Sequence, residues 1–508
     1  MKRGIYLIAF LMVFNCKKKE PKTDFLGIIN ITVSGNKKAL PHFEKGLLLL
    51  HSFEYSDSRE SFKKAQELDQ DMAMAYWGEA MTYNHSLWSE QDYEKAILAI
   101  EKIKVINNYD ALSQLEKDLI VGCELLYKTK TPKNERDIAY SVYMKTLYEK
   151  YPNNHEVAAF YALSLLGSVA EGRDETIYGK GAEIAQGILE KNPNHPGALH
   201  YLIHSYDDPD HAALAINAAN SYSKVAPDAS HALHMPSHIY SALGMWDEVV
   251  SSNIASYQAS LNRMERKKLG NNARGYHAYH WLEYGYLQQN KVEDAKKMVL
   301  NMEKYANETP TIRAKVHLIF LKGTYLVHTS KWESDIANIP VDISDLSISI
   351  KSQYYFLESM KAFKKEDKKQ LDSIITTMQK EFDEQSLLVA LDGIKVCASV
   401  SRGDVTQTDI DESQIMHMQI KALRSWLEND KETTEEWLKK SVALQESMSF
   451  SYGPPFIQKP THELYAEWLA ENNRFDEAIE QYDLTLKRAK NRTLTLKGKE
   501  QLLAENKI

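Results

Sequence analysis

Apolar and polar positions alternate along most of this chain with the three-to-four spacing of helices that bury one stripe. Ala139, Tyr140, Met144 and Leu147 make one such stripe, and Ala158 to Ala162 another. Short polar breaks punctuate the pattern. Pro193 stops a helix that closes on Glu190-Lys191-Asn192, and Pro227 does the same one unit later. Gly244 breaks the chain before Trp246-Asp247-Glu248-Val249, and Asn290 followed by Glu293-Asp294-Ala295 repeats that design. The pattern predicts an all-α protein of helix, short turn, helix, over nearly the whole chain. Ile339-Pro340-Val341 is the best internal break, Ser401 to Asp411 reads as a polar connection, and Gly453-Pro454-Pro455 as a rigid loop.

Two stretches read almost alike. Ala198-Leu199-His200, His204 and Tyr206 recur as Ala232-Leu233-His234, His238 and Tyr240, with an offset of 34 residues at every matched position. Gly46, Ser58, Phe62 and Ala65 open an earlier unit, and Ala75-Tyr76-Trp77-Gly78-Glu79-Ala80 with Tyr83 the next. Ala466, Asn473, Ala478 and Tyr482 mark the last. On these residues the chain resembles the tetratricopeptide repeat family. The resemblance implies a right-handed superhelix of stacked antiparallel helix pairs, since one pair cannot bury its apolar face alone and the next must cover it. Residues 39–340 then form an array with a concave groove, and residues 341–508 a second helical array ending in a capping helix over 493–505.

Over half of the 17 histidines fall between His195 and Tyr284. The spacing of four in His200/His204 and in His234/His238, and of three in His277/His280, places each pair on one helical face. In the tetratricopeptide family the first helix of each pair lines the groove. The resemblance therefore turns His200, His204, Asp207, Asp208, His231, His234, His238, His277, His280 and Tyr284 toward one hollow. Histidine pairs on facing helices with carboxylates nearby are how helical scaffolds hold transition metals. We therefore expect His200, His204, His234, His238, His277 and His280 to ligate zinc, iron or copper. Asp207, Asp208 or Glu283 would ligate or orient them. Copper has the thinner support, resting on Met235 beside His234 and Met418 beside His417. Neutral imidazoles also hydrogen-bond peptides, carboxylates and sugars, so a metal-free ligand groove and a structural network stay open beside the metal site. Trp77 and His85 fall at groove positions of an earlier unit, where Trp77, Tyr83 and Trp88 could stack on a sugar or peptide.

Composition narrows the function. The net charge of -8 and the absence of a basic patch disfavour nucleic acid. No phosphate loop, H-E-x-x-H helix or G-x-S-x-G elbow is present. The N-terminus carries Lys2-Arg3, an apolar run from Ile5 to Phe14 too short to span a membrane, and then Asn15-Cys16. This resembles a bacterial lipoprotein signal over residues 1–15, although Val13-Phe14-Asn15 departs from the usual small residues. It implies a lipid on Cys16, a tether over 16–38 and a place in the bacterial cell envelope, at the outer membrane or the periplasmic face. Cys123 and Cys397 sit in apolar helical runs and read as buried thiols. The expectation is a binding or scaffolding lipoprotein whose groove takes a peptide, protein or oligosaccharide. The alternative is a metal-dependent hydrolase with a metal-activated water.

Overall fold

The structure is a computed structural model and describes residues 25–88, 90–169, 172–387, 389, 405–450 and 453–505. Cys16, Cys397 and the signal over residues 1–15 lie outside the described residues. The chain is all-α, built from stacked antiparallel helix pairs, as the repeat pattern leads one to expect. Among the described residues the one sheet is a two-stranded hairpin, Asn84–His85 against Glu90–Gln91. No described helix is long and apolar enough to cross a membrane.

Six of the helix connections share one turn. At Phe53, Gly244, Asn290, Glu366, Asn429 and Asn473 the backbone enters the left-handed region. The next residue's N–H then bonds back to a carbonyl five residues earlier: Glu54 to Leu49, Met245 to Tyr240, Lys291 to Tyr286, Asp367 to Ala362, Asp430 to Ser425 and Arg474 to Leu469. This bond satisfies carbonyls that the helix end leaves bare. Glycine and asparagine suit such a turn, but Phe53 does not. Its φ of 54° is a backbone cost held in place by what its ring touches.

The stack does not stay open. In the turn before the last helix (Thr493–Glu505), Lys490 bonds the Pro209 carbonyl, and the Asn491 carbonyl takes the Trp246 indole N–H. Arg492 reaches the Tyr284 hydroxyl, and Thr493 binds Gln288 through backbone and side chain. Toward the N-terminus, Arg263 and Lys267 pair with Asp57. The tether segment is, in its described part, a strap rather than a free chain. Phe25 N–H bonds Asp228, Ile28 N–H bonds the Asn194 carbonyl, and Ser34 N–H bonds Glu116. The concave side of the stack is thereby turned into an interior.

Candidate metal centre

Three neighbouring stretches of helix carry the histidines. Pro196 opens the helix Pro196–Ser205, where its missing N–H costs nothing, and the His195 ring accepts the Ala198 N–H as the cap. The second stretch is split. Pro236 cannot donate to the turn before it, so Ser230–His234 ends and Pro236–Leu243 begins within one residue. His234 and His238 sit on either side of that break. The third helix is Tyr276–Gln288.

Two clusters result. In one, His200 Nε2 lies 3.1 Å from His204 Nε2 and 3.2 Å from His231 Nε2. In the other, His234 Nε2 lies 3.1 Å from His238 Nε2, with His277 completing the group. Each set of three ligand atoms falls within 4.8 Å of one another. Ions bound at about 2.0–2.1 Å by imidazole nitrogen place their ligand atoms roughly 3.0–3.4 Å apart. His231, expected only as a groove residue, therefore stands inside the first cluster. His280, expected beside His277, does not join either one. Its Nε2 meets the Thr324 hydroxyl at 3.0 Å and its ring stacks on Phe320. A three-residue step turns a helix by about 300°, so the two rings diverge by about 60°.

The protons decide what these contacts are. His234 Nδ1 donates to Asn253 Oδ1 at 2.7 Å, and that amide's nitrogen donates to the Val249 carbonyl, which fixes its orientation. His238 Nδ1 meets Asp207 Oδ2 at 2.5 Å. Both Nδ1 atoms thus face acceptors and hold the ring proton, leaving both Nε2 atoms as lone pairs pointed at each other. His277 Nε2 is buried with no hydrogen-bond partner. In the first cluster, His200 Nδ1 donates to the His51 carbonyl at 2.7 Å, so His200 Nε2 is also a lone pair. It faces two ring nitrogens at once. A carboxylate, amide or carbonyl holding the far side of each ligating ring is the usual support of a metal site.

Five of the six rings stay uncharged. Burial, and then the neighbouring imidazoles, hold His200, His204, His231 and His277 well below the ordinary histidine value, and His234 is pushed down to about 3. Burial raises Asp207, with the His238 imidazole opposing it. Aromatic rings close the space around the clusters. Phe53 lies 4.2 Å from His200 and 5.7 Å from His231 between ring centroids, with Trp88 behind it. Trp281 lies 4.4 Å from His238 and 4.9 Å from His234. Gly453, at φ 79°, presses on Trp281 so closely that a Cβ there would overlap the indole.

A cavity of about 400 Å³ adjoins the second cluster. Asp207, His238, Tyr284, Phe450, Phe456 and Arg488 are among the residues that line it. The remaining expected residues lie elsewhere. Asp208 is committed to Arg173 and His211. Glu283 is fully buried with neither oxygen hydrogen-bonded, and burial pushes its carboxyl well above the usual range. Trp77 is core, not a stacking platform: it is buried, its indole N–H donates to the Leu119 carbonyl and its ring meets Phe160 edge-on. His85 stacks on Tyr55 at 4.0 Å and faces Glu90, at the aromatic wall rather than in a cluster. Met235 is buried in an apolar cluster and His417 faces the Ile375 carbonyl, so neither pairing marks a copper ligand. Asn253, Phe53, Trp281 and the His51 carbonyl carry no motif in the sequence and were missed.

No family model matches the chain, and no curated protein matches it. Among solved structures it is similar to yeast Tom70, at 12% identity over 93% of this chain and 90% of that one, with a TM-score of 0.34. The P58(IPK) TPR domain gives 11% identity over 92% of this chain and 98% of that one, with a TM-score of 0.22. The structure of Naa15/Naa10 bound to HypK-THB gives 13% identity over 92% and 62%, with a TM-score of 0.24.

Proposed function

We propose that this protein is a metal-binding helical scaffold. Its two tri-histidine clusters each hold a transition-metal ion, and the adjoining cavity admits the ligand that meets the metal. One observation carries the reading. The Nε2 lone pairs of His234 and His238 stand 3.1 Å apart while both ring protons are spent on Asn253 and Asp207. Without a cation between them that contact is repulsive, and buried polar atoms are rarely left so. Three nitrogen ligands also leave a coordination position open.

A hydrolase reading is less well supported. Metal-activated hydrolysis needs a general base within reach of the bound water. Asp207 is engaged with His238, Asp208 with Arg173 and His211, and Glu283 has no contact to a cluster histidine. Binding of a small ligand, or of the end of a peptide or oligosaccharide, is the function the cavity favours. Elemental analysis of protein purified without a histidine tag should give two metal ions per chain; metal-free protein that binds neither zinc nor copper sinks the reading.

We further propose that a lipid on Cys16 holds this scaffold in the bacterial cell envelope. Labelled palmitate should enter the intact chain and not Cys16→Ser; equal labelling of both removes the anchor.

A further inference from the structure

Resting on the reading of the two clusters as metal sites, we propose that the six imidazoles form one dinuclear copper centre. It holds two monovalent ions and binds dioxygen across them as peroxide.

Proximity is the first support. Within a cluster the ring centroids are 4.7 Å apart for His234–His277, 5.0 Å for His200–His231 and 6.5 Å for His238–His277. Rings facing each other across the two clusters, His204–His238 and His231–His234, are 6.1 and 6.2 Å apart. The gap between clusters thus falls within the span of gaps inside one, and two bound ions share one chamber.

Charge selects the metal. All six ligand atoms are imidazole nitrogens, a set that suits copper, which also heads the divalent affinity order. Charge buried here must be balanced nearby. Two carboxylates touch the cluster residues. Asp207 holds His238 Nδ1, and Glu54 accepts the His231 backbone N–H at 2.9 Å. Asp208 is already matched by Arg173 at 3.0 Å. Two monovalent ions are therefore balanced by Asp207 and Glu54, whereas two divalent ions leave an excess of two positive charges. Peroxide supplies that missing dianion after oxidation. Phe53 and Trp281 pack against the rings, and an apolar shell of this kind favours the lower oxidation state and a small apolar ligand.

The step balances. Each Cu(I) gives one electron, and O2 accepts two and becomes peroxide bound between two Cu(II) ions. The O–O bond is kept as a single bond and no proton is transferred. His238 and Asp207 form part of the cavity wall, so the peroxide is made beside that space.

The test uses the full metal-free chain. It is titrated without oxygen with Cu(I) against a competing chelator, and separately with zinc alone, then the copper form is exposed to air. The proposal expects two Cu(I) per chain, an intense near-ultraviolet band after air, and no electron paramagnetic resonance signal, because the two Cu(II) spins couple. His277→Ala should halve the copper and abolish the band. A resonance spectrum of isolated Cu(II), or a full band in His277→Ala, overturns the dinuclear centre. Two zinc ions with no Cu(I) uptake overturns the copper assignment and leaves the metal sites standing. Uptake of neither metal removes both readings. The copper and zinc stoichiometries, the band and the resonance silence are read on the unmodified chain, so a His277→Ala chain that fails to fold leaves the proposal testable.

Discussion

Two groups in this molecule have the same ingredients and opposite logic. His51, Glu156 and His195 bring three ligand-type atoms within 4.8 Å, as do His234, His238 and His277. In the first group Glu156 sits between the rings, 2.7 Å from His51 Nε2 and 3.1 Å from His195 Nε2. The other nitrogen of His51 meets the Tyr201 hydroxyl, and that of His195 accepts the Ala198 N–H. A proton lies in every contact, so the group is closed. In the second group the ring protons of His234 and His238 point outward, and their Nε2 lone pairs point inward at each other. Residue type and distance do not separate a structural knot from a metal site; the direction of the protons does. The closed knot still serves the open site, because the backbone carbonyl of His51 takes the His200 Nδ1–H.

The comparison breaks most visibly on metal stoichiometry. His234→Ala combined with His238→Ala should lower the metal content from two ions per chain to one, read by elemental analysis. Retention of both would remove these ligands. Glu156→Gln should leave both ions bound but destabilise the fold by about 3–5 kcal/mol in a denaturant titration, as expected when a buried pair is broken. Loss of metal in that variant would mean the two groups do not differ as described.

Acid separates them next. His200, His204, His231, His234 and His277 have pKa values below their unfolded value of 6.5. Between that value and the depressed one, the unfolded chain takes up protons the native rings refuse. Stability of the metal-free protein therefore falls as pH drops from 7 to 5, by up to about 1.4 kcal/mol per pH unit per ring. Glu156 behaves differently. Burial works to raise it, but the His195 and His51 imidazoles hold it below the usual carboxylate value, so its contribution persists until pH falls past 4.5. Urea midpoints across pH 4–7 should show the loss beginning near 6.5; a flat profile down to 5 contradicts the neutral clusters.

Asn253→Ala should act more gently. It removes an orienting acceptor and not a ligand, so metal affinity should weaken by about 10–100-fold with stoichiometry unchanged. Competition against a chelator measures it, and an unchanged affinity would show that the His234 tautomer is not set there.

Much of this was legible in the sequence. The helix pairs follow from the apolar stripes and the turn residues, and the faces of His200/His204 and His234/His238 follow from their spacing. His231 was placed in the groove, but nothing local says that it closes on His200, 31 residues away. His280 was misjudged because a spacing of three shares a face only loosely, while Trp281, four after His277, lies over the same rings. Asn253, and the His51 carbonyl 149 residues from its imidazole partner, are tertiary facts without a local signal. The same holds for the return of Arg492 and Thr493 onto Tyr284 and Gln288, which turns an open groove into a chamber.

Anomalous diffraction from crystals of the metal-loaded protein, recorded at the edge of the bound metal, tests the central distinction most directly. The account predicts one peak inside each tri-histidine cluster, about 2.0–2.1 Å from the Nε2 atoms, and none among His51, Glu156 and His195. A peak in that closed group, or empty clusters in protein shown to carry metal, would contradict it.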